Sequence, residues 1–238
     1  MAKIDKSLYT KEEWHKIRQE RRNQKRFESL AKTNNIENIL SNDIAFVIGN
    51  GVSRLPIDLE KLKSIGKVYA CNAVYRTFQP DYLIAVDVKM ILEINKSGFQ
   101  HKNQVWTNPN RSYERIKNLN FFSPSKGWSS GPTALWLATQ HQYKKIYILG
   151  FDFRGSKEGR MFNNIYADTA NYKKSTDGAT FFGNWMRQTI NVIKENTDID
   201  YKRVIAPDNY SPEELNKFNN LETIFIEDFQ KIFGFSQI

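Results

Sequence analysis

The stretch Ile44-Ala45-Phe46-Val47-Ile48-Gly49-Asn50-Gly51-Val52-Ser53 is an apolar run of five that stops at a glycine-rich turn. It shows no polar alternation, which is how a strand buried on both faces reads. Comparable short runs follow at Lys67–Cys71, Tyr82–Val86, Val105–Thr107, Asn120–Phe122, Lys145–Leu149, Arg203–Ala206 and Thr223–Ile226. Helical stretches fall between them, roughly at Leu59–Ile65, Val88–Lys96, Pro132–His141, Gly183–Glu195 and Pro212–Asn219. Ser211 followed by Pro212 and Glu214 is a helix-start signal. The alternation predicts an α/β fold, Rossmann-like, with a mostly parallel sheet and helices on both faces.

In an open parallel sheet, ligands bind beyond the carboxyl ends of the strands. After the first strand stand Gly49, Asn50, Gly51 and Ser53; after the second, Asn72; after the third, Asp87; after Lys145–Leu149, Gly150 and Asp152. Ser129, Ser130 and Gly131 introduce the helix Pro132–His141. Small, amide, hydroxyl and carboxylate groups thus collect at one sheet edge, the predicted nucleotide site. The Gly-Asn-Gly turn lets backbone N–H groups approach a phosphate, or serves as an ordinary tight turn. It has neither the dinucleotide GxGxxG spacing nor that of a P-loop. Asn72 can recognise a base or ribose, or cap its turn. Ser129, Ser130 and Gly131 can cap their helix or offer donors to a phosphate. Asp87 and Asp152 can accept from ribose hydroxyls or hold Mg²⁺ between them; Asp152 can equally order its own loop.

Residues 154–180 form the longest stretch without periodicity, read as a lid over the ligand or a solvated insertion. The stretch offers Arg154, Lys157, Arg160, Lys173 and Lys174 to an anion, and Tyr166, Asp168 and Tyr172 as proton-transfer groups. The catalytic candidates are Tyr166, Asp168 and Arg154. The single cysteine, Cys71, excludes an internal disulfide and a multi-cysteine zinc site, and His15, His101 and His141 are scattered.

With 238 residues and 40% hydrophobic residues the chain can fill a core. No apolar run reaches the roughly 18–20 residues of a membrane span, and the N-terminus lacks a secretory apolar region. A cytoplasmic protein is expected. The net charge is +9, and residues 1–30 carry nine Lys/Arg against five Asp/Glu. That excess suits an anionic ligand or an acidic surface. No zinc-finger spacing, aromatic RNA-binding motif or dense basic stripe follows residue 30, so nucleic acid is not indicated as a partner. Residues 1–40 read as a basic helical arm and hinge, with the single domain at 41–238. Thr10 and Glu13 have capping-box spacing, and a helix from Lys11 to about Ala31 presents Trp14 and Ile17 among many basic residues. Residues 1–34 serve either as a solvated arm or as a surface for a protein partner or self-association.

Four motifs in order, Phe46–Ser53, Cys71-Asn72 with Tyr75, Ser129-Ser130-Gly131 and Ile146–Phe153, resemble the bacterial sialyltransferases of glycosyltransferase family 42. They are also similar to the related archaeal-type hydroxymethylpterin diphosphokinases. The resemblance covers roughly residues 43–155. It implies a Rossmann-like nucleotide-binding domain with a lid, in which Asn50, Gly51, Asn72, Ser130 and Gly131 hold CMP. The sialyltransferases use a lid histidine as general base, and this chain has no histidine after His141. Gly127 and Arg154 stand where that family has an arginine and a tyrosine, and Asp87 where it has an asparagine. Nucleotide recognition therefore transfers further than the reaction.

Three readings follow. One is a glycosyltransferase-like protein that takes a CMP-sugar type of nucleotide. Another is a non-catalytic binding or assembly protein that keeps the fold, as a virus- or phage-encoded component in the host cytoplasm or virion would. A third is a Mg²⁺-dependent pyrophosphokinase-like transferase.

Overall fold

The computed structural model describes residues 43–235 and, before them, Thr10. The chain divides into Met1–Ile39 and Leu40–Ile238, and every element below belongs to the second unit. The readings of an arm helix, of Trp14 and Ile17 and of a hinge at Asn34 and Asn35 lie outside the described residues.

Eight strands form one all-parallel sheet: β1 (Ile44–Ile48), β2 (Lys67–Cys71), β3 (Tyr82–Ile84), β4 (Gln104–Thr107), β5 (Asn120–Phe121), β6 (Lys145–Leu149), β7 (Asp200–Ile205) and β8 (Leu221–Phe225). Their spatial order is β5-β4-β3-β2-β1-β6-β7-β8, with every neighbouring pair parallel. The fold is α/β and Rossmann-like. The chain builds outward from β1 to β5, then returns to lay β6 on the other side of β1. The strand order therefore reverses between β1 and β6, and such a switch point opens a crevice at the strand ends.

Alternate residues of β1 serve two cores. Ile44, Phe46 and Ile48 face a layer containing Leu59 and Leu62 of α1 (Leu59–Lys63), Met90, Ile91 and Ile94 of α2 (Val88–Ser97), and Phe229 of α5 (Ile226–Ile232). Ala45 and Val47 face Ala134, Leu135 and Ala138 of α3 (Ser130–Gln140) and Val192 and Ile193 of α4 (Gly183–Glu195). All five residues of β1 are buried. Each fully buried Ile or Phe contributes about 1.5–3 kcal/mol, so the middle of the sheet is its most firmly held part. Among the described residues, no helix is long and apolar enough to cross a membrane.

Candidate functional site

The turns after β1 and β6 meet backbone to backbone. Gly49 N–H donates to Leu149 O (2.7 Å) and Gly51 N–H to Gly150 O (3.0 Å). A Cβ on Gly49 would lie 2.5 Å from Gly150 O, and Gly150 has φ +69°. The glycines are thus required by the approach of one turn to the other. Val52 N–H donates to Asn163 Oδ1 (3.0 Å) and Ser53 N–H to Asp152 Oδ2 (3.2 Å). The N–H groups of Gly49, Gly51, Val52 and Ser53 are therefore occupied within the protein. Of the amides of the Gly-Asn-Gly turn, those of Gly49 and Gly51 serve the turn itself, as an ordinary tight turn would have them, and Asn50 N–H makes no hydrogen bond to the described residues.

Asp152 is buried and ties three segments together. It accepts from Ser53 N–H, from the Ser53 hydroxyl through a short contact, and from Asn163 Nδ2 (3.0 Å). A side chain at Gly51 would land on this carboxylate. Asp152 and Ser53 hold the loop, the loop-ordering alternative read from the sequence, with two of the three donors on Oδ2 and one on Oδ1. Among the described residues no group of three or more potential metal ligands forms.

Two buried arginines brace the same turns. Arg54 Nε donates to Gly49 O (2.7 Å). Arg203 donates to Phe151 O through Nε and Nη2 (3.1 and 3.0 Å) and to Tyr210 O (2.9 Å), with its guanidinium 5.4 Å from the Phe153 ring centre. Burial lowers its pKa to about 10.

Above these turns lies a cleft of about 330 Å³, a size suited to a small ligand. Its lining includes Gly49, Asn50 and Gly51 after β1, Cys71 at the end of β2 and Asn72 after it, Asp87 after β3, Ser129, Ser130 and Gly131 at the start of α3, and Gly150, Asp152 and Arg154 after β6. Five separate elements thus converge, as the sequence predicts.

The centre of this convergence is a relay of hydrogen bonds. Val86 N–H donates to Ser130 Oγ (3.2 Å), whose hydroxyl donates to Asn72 Oδ1 (2.8 Å). Asn72 sits at φ +52°, a left-handed conformation that asparagine tolerates better than most residues. Its amide NH₂ makes no hydrogen bond to the described residues. At α3 the N–H groups of Ser130 and Gly131 have no intrahelical carbonyl to reach, because they lie in the first turn. Ser129 N–H is held by Gln188 Oε1 of α4 (3.1 Å). Asn50 Nδ2 donates to Cys71 O (3.2 Å) and to the Tyr172 hydroxyl (3.5 Å), while its Oδ1 is buried without a donor.

The titratable groups of the lining differ sharply. Burial pushes the Cys71 thiol up to about 12, so it stays protonated. Arg154 is exposed, with its guanidinium 5.3 Å from the Tyr210 ring centre. Asp87 reaches solvent, yet the protein around it raises its carboxyl pKa by desolvation. It makes no hydrogen bond to the described residues, not even as N-cap of α2.

Residues 154–180 lie down on the domain as a strap. Ile165 N–H donates to Asn50 O (2.8 Å). Arg76, paired with Glu93 at 2.6 Å, donates to Thr169 Oγ1 and Ala170 O, both at 2.8 Å, and Asn171 Nδ2 donates to the same Glu93 (2.6 Å). Tyr166 is buried in the α1–α2 core with its hydroxyl on Thr77 Oγ1 (3.1 Å). Asp168 is exposed and accepts from Ser175 N–H (3.1 Å). Of the three catalytic candidates, Arg154 lines the cleft, whereas Tyr166 and Asp168 do not.

Part of the cleft wall has no counterpart among the residues expected from the sequence. Trp128, Phe182 and Trp185 also line the cleft. Trp128 stands directly before Ser129-Ser130-Gly131, and that position was a usable signal. Phe182 and Trp185 reach the cleft from the start of α4, after the long strap, and no local pattern marks them. Lys126 Nζ lies 5.2 Å from the Trp128 ring centre, and the Phe182 and Trp185 rings meet edge to face at 5.4 Å. Compared with known proteins, the chain matches no family profile, no curated protein and no solved structure.

Proposed function

We propose that this protein binds an activated nucleotide in the β1–β6 cleft and acts as a glycosyltransferase-like enzyme of the CMP-sugar type. The observation that carries the reading is the Val86–Ser130–Asn72 relay. It fixes the Asn72 amide by its oxygen and leaves its NH₂, with the first N–H groups of α3, at the ligand edge of the sheet. Amide donors beside a helix N-terminus suit a phosphate and its attached sugar. The order of the motifs quoted above supports the same class.

A second reading is a nucleotide binder without catalysis. It draws support from the lining itself. No histidine lines the cleft among the described residues, and Tyr166 and Asp168 serve structural hydrogen bonds elsewhere. The Mg²⁺-dependent pyrophosphokinase-like reading draws less support, because Asp152 already accepts from Ser53 and Asn163 within its own loop.

A thermal-shift screen of CMP, CDP, UDP, GDP and ATP, with and without Mg²⁺, tests the proposal. Ligand at 100 times its Kd stabilises by roughly 2.7 kcal/mol, which is several degrees for a domain of this size. A shift with a cytidine nucleotide independent of Mg²⁺ supports the CMP-type site that the glycosyltransferase-like reading and the non-catalytic binder share, and release of the sugar from a CMP-sugar then separates the two readings. A shift that requires Mg²⁺ and ATP favours the kinase-like one, and silence across the panel sinks both.

A further inference from the structure

We propose that Trp128, Phe182 and Trp185 form the nucleobase subsite of the cleft, an inference that rests on the nucleotide reading above. The cleft has two chemically distinct parts. One is polar: the Asn72 amide, the α3 N-terminus and Asp87. The other is an aromatic wall of three half-buried rings that keep exposed surface inside a concavity. Isolated exposed aromatics are ordinary, but three converging on one cleft favour a flat, apolar partner.

Chain geometry links the two parts. Trp128 precedes Ser130 by two residues, so their Cα atoms are at most about 7 Å apart, and both residues line the same cleft. Ser129 N–H on Gln188 Oε1 ties this segment to α4, which carries Trp185. An occupant of both parts therefore has an anionic end and a flat end separated by one small polar unit. A nucleoside 5′-phosphate has that build, with phosphate at α3, ribose near Asn72 and Asp87, and base on the wall. Stacking accepts any base because every base has a π-face, so the wall sets the ligand class and not the choice of base.

The test compares calorimetric titrations of CMP, UMP, AMP and GMP with ribose 5-phosphate, on the full chain and on Trp185→Ala and Trp128→Ala. Trp185→Phe is the control that keeps an aromatic ring. The inference expects the best nucleotide to bind about tenfold or more tighter than ribose 5-phosphate and to quench tryptophan fluorescence. It expects either alanine variant to remove that advantage, Trp185→Phe to keep it, and ribose 5-phosphate affinity to stay unchanged throughout. Should one alanine variant fail to fold, the other and the quenching in wild type still decide. Equal affinity for nucleotide and ribose 5-phosphate in wild type overturns the inference while leaving a phosphate site. Equal nucleotide affinity in wild type and in folded alanine variants overturns it while leaving the nucleotide reading intact. No binding by any of these phosphates removes the nucleotide reading and this inference together.

Discussion

The hydroxyl of Ser130 donates to Oδ1 of Asn72 at 2.8 Å, which joins the first residue of α3 to the turn after β2 across 58 positions of sequence. Asn72 holds its place in the left-handed region, at φ +52°. Two substitutions separate backbone from side chain. Asn72→Gly removes the amide but suits the backbone, whereas Asn72→Ala adds about 1–2 kcal/mol of left-handed strain. Calorimetric unfolding should show Asn72→Ala several degrees below Asn72→Gly. Identical midpoints would show that the backbone relaxes freely there.

Asp152→Asn tests whether this carboxylate is a brace. Three donors converge on it, and an asparagine must turn its own NH₂ towards one of them. Loss of a buried hydrogen bond to a charged group costs about 1.5–3 kcal/mol, so Tm should fall by roughly 3–12 °C in metal-free buffer. An unchanged Tm, coupled with loss of a Mg²⁺-dependent shift present in wild type, would make Asp152 a ligand instead.

Asp87 should behave in the opposite way. Desolvation raises its native pKa above the ordinary 3.8. A carboxyl with a raised native pKa stabilises fully below the unfolded value and loses that contribution as pH rises through the native value. At pH 7 the charged form is therefore a liability to the fold. Asp87→Asn should leave Tm at pH 7 unchanged or higher, with the gain shrinking as pH falls towards 3.8. A lower Tm at pH 7 would mean that the carboxylate holds the structure rather than serving the cleft.

Glu93 supplies an acid-sensitive clasp for the strap. Burial alone would raise its pKa, but hydrogen bonds from Arg76, Tyr75 and Asn171 outweigh it and lower the value to about 2. Its stabilising contribution is present above the unfolded value of 4.5 and is lost as pH falls towards 2. The stability gap between wild type and Glu93→Gln should close over that window. Amide exchange at Thr169–Tyr172 should quicken in step. A gap independent of pH would show that the ion pair with Arg76 is not what holds the strap.

The central strands were legible because burial on both faces leaves an unbroken apolar run. β1, β2 and β6 have the bounds read from sequence. At the sheet margin the signal fades. β7 begins at Asp200, earlier than its apolar part, because Lys202 is paired with Asp200 and Glu222 at its polar end. β3 ends at Ile84, and Val86 N–H leaves the ladder for Ser130. The stretch read as a helix from Pro212 is a 3-10 turn, Glu213–Lys217, and α5 carried too few residues to show a period. At the cleft, strand-end residues of the lining were legible because topology alone places them there. Tyr166 was misplaced since residue type says nothing of direction: a tyrosine in an aperiodic loop can face the core or the ligand. Trp128 and Trp185 escaped because an aromatic residue near a helix start reads as core.

Titration calorimetry of CMP against the full chain and against Asn72→Gly tests the central claim most directly. The account predicts one CMP per chain, unchanged by Mg²⁺ or chelator, and an affinity reduced about five- to hundredfold in Asn72→Gly, as expected for about 1–3 kcal/mol of lost hydrogen bonding. The same affinity in a folded Asn72→Gly, or no heat of binding in wild type at millimolar CMP, would contradict it.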